Sequence, residues 1–508
     1  MYTKATQTSD DAELEEDTDE DDSARDVAAA DAAAAQATLA AQEALIAQLR
    51  EEIRAELLAN EEEERQRRLE QEPPPPPPPA ELSTGSMIQR YTADDTDLDT
   101  NGQDAQVRLV AQLKNSHSAH RSITYIHFSP KFPELVLAAY SRNPLAPSES
   151  DGLVQVFSLL KPDEPVFTLT AGSEIRIAQF SPFHPQLIFG GAYSGQVLIW
   201  DTRTPGLPIL KSPQTAGRGH SHPVTAMQLV GTRHAHSLVS IAADGTVCSW
   251  SPDVLAKPQD FLQLRNLPPA KLDDIAPTGI AVDATDSTRF LMSTEEGHLV
   301  RVHRQDRADA KAGVDPRIVY RGHLASITNL DPHPAAAQPA QQSQAGGLAG
   351  WVLTSSLDWS VKLWNTTPTT RAVGTIAVSS QHPYGATDDV PMIVVSPIME
   401  FPNTQPVYDV HWSPHRPGVF AQVDGAGELQ IWDLCQGSEV PVSRITPGLG
   451  PGEPARALNR LAWEMEHGRR IAVGGLDGIL NVLDIGELGG PATQEEWSTL
   501  TTLIERMQ

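Results

Sequence analysis

An all-β ring of seven propeller blades is what this sequence predicts, on three observations. A strand-closing phrase recurs seven times, an opening strand precedes each copy, and apolar residues within the strands largely alternate with small or polar ones. The phrase is a small or acidic residue, usually followed by Gly, then a strand ending in a bulky apolar residue. Its copies are Asp151-Gly152 to Phe157, Ser194-Gly195 to Trp200, Asp244-Gly245 to Trp250 and Glu296-Gly297 to Val302, then Asp358-Trp359 to Trp364, Ala426-Gly427 to Trp432 and Asp477-Gly478 to Leu483. Their terminal residues stand 43, 50, 52, 62, 68 and 51 positions apart. A four-stranded blade needs roughly 40–45 residues, so each interval holds one blade plus loop.

The opening strands are expected at Ile123–Phe128, Ile175–Phe180, Val224–Leu229, Thr278–Val282, Ile327–Leu330, Val407–Trp412 and Leu458–Trp463. Three run into Ser-Pro turns, at Ser129-Pro130, Ser181-Pro182 and Ser413-Pro414, where the chain must leave the sheet. Together these elements place a seven-bladed propeller over residues 105–485. A ring must also close, and nothing after Asp484 reads as a strand. Val107, Leu109, Val110 and Leu113 make residues 105–113 the expected outer strand of the last blade. The excess length lies in residues 335–349, rich in Ala, Gln and Gly, and residues 371–404, rich in Pro and Ser; both are expected as surface insertions in or after blade five. In residues 486–508, Trp497, Leu500, Leu503 and Ile504 fall at helical spacing and predict a short docked helix.

Upstream lies a tail of different character. Residues 1–35 are acidic and Ala-rich and cannot bury enough apolar surface to offset chain entropy, so they are expected to be disordered. Over residues 36–72, Leu39, Ile46, Leu49, Ile53 and Leu57 form an amphipathic helical stripe that needs a partner, either a second copy of this chain or another subunit. Pro73 to Pro79 end that helix and form a stiff spacer, followed by polar linker to residue 104.

Composition narrows the function classes. Lys plus Arg number 38 and Asp plus Glu 66, for a net charge of -28. Phosphate-driven nucleic-acid binding and attraction to anionic membranes are both disfavoured. No apolar run reaches the roughly 20 residues of a membrane span, so no membrane insertion is expected. Met1 to Asp11 lack a basic region followed by an apolar core, so no secretory signal is read there and a cytosolic location is expected. Cys248 and Cys435 are read as buried thiols on strands of different blades in a reducing compartment.

Catalytic and metal motifs fail on inspection, so no catalytic, cofactor or metal residues are assigned. Asp97, Asp99 and Asn101 resemble the front of a calcium loop, but its twelfth position would be Arg108 instead of Glu. His220, His222, His234 and His236 cluster without a Cys or acid at metal spacing and are read as solvated or strand-end histidines. Gly448, Gly450 and Gly452 are interrupted by Pro451 and read as a turn. Asp151, Asp244 and Asp477 are expected to hold backbone amides in their turns. The opening strands show mostly Ile, Val, Ala and Thr, which argues against a channel-lining active site.

One short motif points to a partner. Lys4-Ala5-Thr6-Gln7-Thr8 is a β-branched and polar segment suited to adding a strand to another protein's sheet edge. Lys4, Thr6 and Thr8 would face one way, Ala5 and Gln7 the other. With Phe132-Pro-Glu-Leu135, Gly190-Gly-Ala-Tyr-Ser-Gly195, Ile199-Trp-Asp-Thr-Arg203, Asp358-Trp-Ser-Val-Lys-Leu-Trp364 and Tyr408-Asp-Val-His-Trp-Ser-Pro414, the chain resembles a dynein intermediate chain, most closely the cytoplasmic class.

The resemblance implies a non-catalytic WD-repeat subunit of a microtubule motor, working in the cytoplasm on the cytoskeleton. Its propeller would join the motor heavy chain, and Lys4 to Thr8 would bind the dimeric hub-type light chain through the central Thr-Gln-Thr. Asn60 to Glu72 are similar in character to the start of the segment that takes a roadblock-type light chain, though the proline run interrupts it. The family's dynactin contact lies in a coiled coil upstream of the light-chain motif. This sequence starts at that motif, so either a first exon is missing from it or the protein lacks that contact. The competing readings are an axonemal or intraflagellar intermediate chain, or a general WD-repeat adaptor of another complex.

Overall fold

The computed structural model describes residues 107–507, except 215–218, 267–273, 283–285, 307–310, 337–347, 367–371, 378–390, 438 and 449–454. Seven antiparallel four-stranded arrangements follow one another along the chain. Their first strands are Ile123–Phe128, Ile175–Phe180, Val224–Thr232, Pro277–Val282, Ile327–Pro332, Val407–Trp412 and Leu458–Trp463. All seven opening strands expected from the sequence are present, two of them longer at the C-terminal end. Every predicted closing phrase ends the third strand of its blade, as in Val197–Asp201 and Ser360–Asn365.

First strands of neighbouring blades pack on one another around the ring, including blade one on blade seven. The apolar core is therefore not one mass but seven layers, one in each gap between blades. Leu330 and Trp364 of blade five meet Leu299 and Tyr320 of blade four, and Trp351 and Phe401 meet Phe420 and Trp432 of blade six. Trp200, Trp250 and Trp364, each ending its closing phrase, are fully buried. Burying one such side chain contributes on the order of 2–3 kcal/mol, so the repeated bulky residue is what seals each gap.

The ring closes with the strand Arg108–Leu113, which pairs antiparallel to Leu480–Asp484 and completes blade seven. Leu113 is fully buried there, whereas Leu109 stays 47% exposed. The three Ser-Pro turns are tied by side-chain acceptors: Ser129, Ser181 and Ser413 hydroxyls accept from the amides of Phe132, His184 and Arg416.

Residues 371–404 differ from expectation. They are not only a surface insertion. Met399–Pro402 is the outer strand of blade five, and Phe401 is fully buried in the gap to blade six. Pro391–Val395 pairs in parallel with the outer strand of blade four, Gly313–Arg321, and Ala372–Ala377 pairs with it in turn, making a six-stranded sheet. An outer strand has a free edge that accepts further strands.

Helix α1 (Gln494–Met507) packs Trp497, Leu500 and Leu503 against the blade five and six layer. It is fastened by Arg416, which donates to the Glu496 carboxylate and to the Glu487 carbonyl. Among the described residues no helix is long and apolar enough to cross a membrane. Lys4 to Thr8, the 36–72 stripe, the proline run and the Asp97 to Asn101 segment lie outside the described residues.

Candidate functional site

The inner strands carry more polar chemistry than their Ile, Val and Ala content suggested. At the alternate positions stand Tyr125 and His127 of blade one, Gln228 of blade three, Asn329 and Asp331 of blade five, Asp409 and His411 of blade six and Arg460 of blade seven. His411 lies between two carboxylates, with Nδ1 3.5 Å from Asp331 and Nε2 3.4 Å from Asp409. Burial alone would lower its pKa, but Asp409 and Asp331 override that and push it up to about 9. His127 goes the other way, down to about 4, through burial and then the charge of His411.

These groups bind across blade boundaries. Asp331 accepts from the Trp412 amide at 2.8 Å, and Asp409 accepts from Asn329 Nδ2 at 2.6 Å and from the Leu461 amide at 3.0 Å. Arg460 donates to the Thr124 carbonyl at 3.1 Å, and Gln228 accepts from the Val282 amide at 2.8 Å. The cluster stitches blades five, six, seven and one together. Its hydrogen bonds go to backbone and side chains of the neighbouring blades.

The turns between second and third strands form a separate system. In blade five, with the proton on Nδ1, His323 donates to Asp358 at 2.9 Å and accepts from the Thr354 hydroxyl at 2.7 Å. Trp364 Nε1 donates to the same hydroxyl at 2.7 Å. Asp358 also accepts from the Ser360 and Leu324 amides and the Ser360 hydroxyl. Burial would raise its pKa, yet the bonds from His323 and Ser360 hold it far below the usual carboxylate range.

Blade three repeats the plan with His220, Thr246, Ser240 and Trp250. His220 is therefore neither solvated nor at a strand end, as the sequence suggested, but fully buried and held neutral, its pKa lowered by burial to about 4. His222 is exposed and faces Asp244 at 3.1 Å, and His236 packs on Phe183. Among the described residues no cluster of His, Cys, Asp and Glu could hold a metal ion.

Two further expectations shift. Asp244 and Asp477 hold turn amides as anticipated, those of Thr246 and Ile479. Asp151 instead contributes its carbonyl, which accepts from Arg121. Buried Arg121 also binds the Ser141 and Ser150 carbonyls and Glu149, a fastening the sequence reading missed. Cys248 is fully buried on its strand, while Cys435 lies just past the third strand of blade six and is half-buried. Burial pushes both thiols up to about 12.

Blade five has one more feature. Five turn glycines adopt left-handed backbone, Gly195, Gly245, Gly297, Gly427 and Gly478, with φ between +71° and +86°. Blade five places Trp359 there, at φ +67°, with the side chain 49% exposed. The departure was visible in the repeat, as the one phrase whose second turn residue is not Gly.

Seven blades, each gap sealed by a closing-strand bulky residue and two turns locked by His and Trp, define a WD-repeat β-propeller, a scaffold that presents loops on two faces. No family model matches the chain. It is 35% identical over 394 residues to the cytoplasmic dynein 1 intermediate chain of Drosophila melanogaster, a match covering 77% of this chain and 52% of that one. The chain thus spans about half the length of this curated relative. It belongs to the dynein intermediate chain family.

Proposed function

We propose that this chain is a non-catalytic intermediate chain of a cytoplasmic dynein motor, joining the heavy-chain tail through its propeller and light chains through its N-terminal tail. The observation that carries this reading is the 394-residue match, longer than the tail and so necessarily running through the blades. Lys4, Ala5, Thr6, Gln7 and Thr8 bind the hub-type light-chain dimer by adding a strand to its sheet edge. Two tails on one dimer make the attachment bivalent, so modest single-site affinity becomes strong avidity. The 36–72 stripe joins a second copy of the chain or a further subunit, with a roadblock-type light chain near Asn60 to Glu72. The assembly works in the cytoplasm on microtubules. The polar groups of the inner strands support the non-catalytic reading, because they bind neighbouring backbone.

Co-purification tests the reading. Full-length chain expressed with heavy-chain tail and hub-type light chain should retain both. Gln7→Ala with Thr8→Ala should abolish light-chain recovery and spare the heavy chain. Loss of both together would refute separate modules, and a wild-type chain that retains neither would refute the function.

A further inference from the structure

We propose that the blade-five face carrying Trp359, Leu357 and Leu324 is the docking surface for a basic amphipathic helix of the motor heavy chain. This assignment rests on the function proposed above and names its surface.

A bulky L-residue at φ +67° is an outlier that persists only where surrounding structure enforces it, and such outliers concentrate at functional positions. In the neighbouring turns glycine is required twice over, for the dihedral and for space. A Cβ on Gly427 would lie 2.4 Å from the Arg456 carbonyl oxygen, and one on Gly478 2.2 Å from that of Ser118. Blade five has exchanged that economical residue for an indole that remains 49% exposed. About half of the residue's surface is left in water, where it adds nothing to the fold.

The turn is held rigidly enough to present the indole in one place. Asp358 is bonded to His323, Ser360 and Leu324, and the Trp359 carbonyl accepts from the Asn403 amide at 2.8 Å. The same bonds fix the backbone of two more residues with exposed apolar side chains. Leu324, 92% exposed, has its amide on Asp358 at 3.1 Å, and the amide of half-exposed Leu357 donates to Ser326 at 3.1 Å. Three large apolar groups thus stand exposed on pre-ordered backbone at one corner of blade five. Other exposed side chains such as Leu160 and Val440 stand on backbone without this left-handed turn.

Charge selects the occupant. The corresponding turn of blade four abuts the connection that carries Leu324: a Cβ on Gly297 would lie 2.7 Å from the Ala325 carbonyl oxygen and 2.8 Å from that of His323. That turn displays Glu295 and Glu296, both exposed. An apolar anchor with two carboxylates on its blade-four side, of which Glu296 faces His298 at 3.5 Å, fits a helix whose apolar stripe is flanked by Lys or Arg. It disfavours a second copy of this chain, whose net charge is -28.

The test uses the full chain with the heavy-chain tail of the same organism as probe. Trp359→Gly removes the indole and supplies the residue the dihedral favours, so its thermal midpoint should equal or exceed wild type. Leu324→Glu alters a side chain already in water. Each should weaken heavy-chain binding at least tenfold, and Glu295→Lys with Glu296→Lys should weaken it further as salt is lowered. Hub-type light-chain binding should not change in any of them. Wild-type affinity in both Trp359→Gly and Leu324→Glu overturns the assignment, as does a loss confined to light chain or to self-association. If wild type itself ignores the heavy-chain tail, the proposed function fails first and this surface with it.

Discussion

Replacing Asp358 by Ala should destabilise the propeller far more than replacing Asp477 by Ala, although both acids open a repeat phrase. Asp358 accepts four hydrogen bonds, one of them from His323, a side chain with no exposed surface. Removing it leaves that imidazole and two amides without their acceptor in a site where Asp358 itself is only 9% exposed. A lost bond from a buried donor to a charged acceptor costs about 1–3 kcal/mol, and several are lost here together. We expect about 4 kcal/mol for Asp358→Ala. Asp477 accepts from the Ile479 amide. Its removal should cost about 1 kcal/mol, the typical net value of one bond. Urea unfolding of full-length variants, followed by tryptophan fluorescence, measures both. Equal losses would refute the claim that the blade-five lock is a cooperative unit rather than a turn preference.

Two further outcomes follow from the same geometry. His220 and His333 are buried and held near pKa 4 by desolvation, below the unfolded value of about 6.5, so the unfolded chain takes up protons first. Their contribution is full above pH 6.5 and falls as pH drops toward 4; at pH 5.5 the pair should have lost about 3 kcal/mol, read as a lower urea midpoint. His411 has the opposite sign: its pKa of about 9 gives stability present below pH 6.5 and lost as pH rises through 9. Because its side chain is 30% exposed, that term is discounted to about 1–2 kcal/mol. A stability profile flat from pH 5 to 9 would contradict all three assignments. In the closing strand, Leu113→Ala should cost about 3 kcal/mol and Leu109→Ala under about 1, because only the former is buried against blade seven; calorimetry finding equal effects would argue against closure by this strand.

Inner and third strands were legible because they face a neighbouring blade on each side, which forces bulky residues at fixed register. Outer strands pair along one edge and carry weaker patterns. Hence Met399–Pro402 was hidden in a segment that looks like low complexity, and only Phe401 betrays its burial. The strands at Ala372–Ala377 and Pro391–Val395 follow no blade period at all, since they join a neighbouring blade's edge. The His220 lock was missed because His220 bonds Ser240 and Thr246, on two other strands, and no local spacing announces that. The inner polar chain was overlooked because the apolar half of each alternation dominates its composition, while Asn329, Asp409 and Arg460 occupy the other half.

The distribution of strain and polarity explains how one ring serves as a scaffold. Seven separate apolar layers hold the blades by their flat sides, and the inner polar chain ties first strands edge to edge, so stability resides within the gaps and along the axis. The exposed side chains on the faces are then free to vary, since little core depends on them, whereas the turn glycines and the bonded aspartates are not. Blade five shows the limit of that freedom. A left-handed Trp359 is tolerated because Asp358, the residue before it, is fastened by His323 and Ser360, and that lock is itself anchored on buried Trp364. Weakening the lock should therefore loosen the exposed indole before it opens the ring. If Asp358→Ala is as costly as argued, loss of heavy-chain binding should appear in that variant at temperatures where its far-ultraviolet spectrum is still native; binding and secondary structure lost at a single temperature would show that face and ring are not separable.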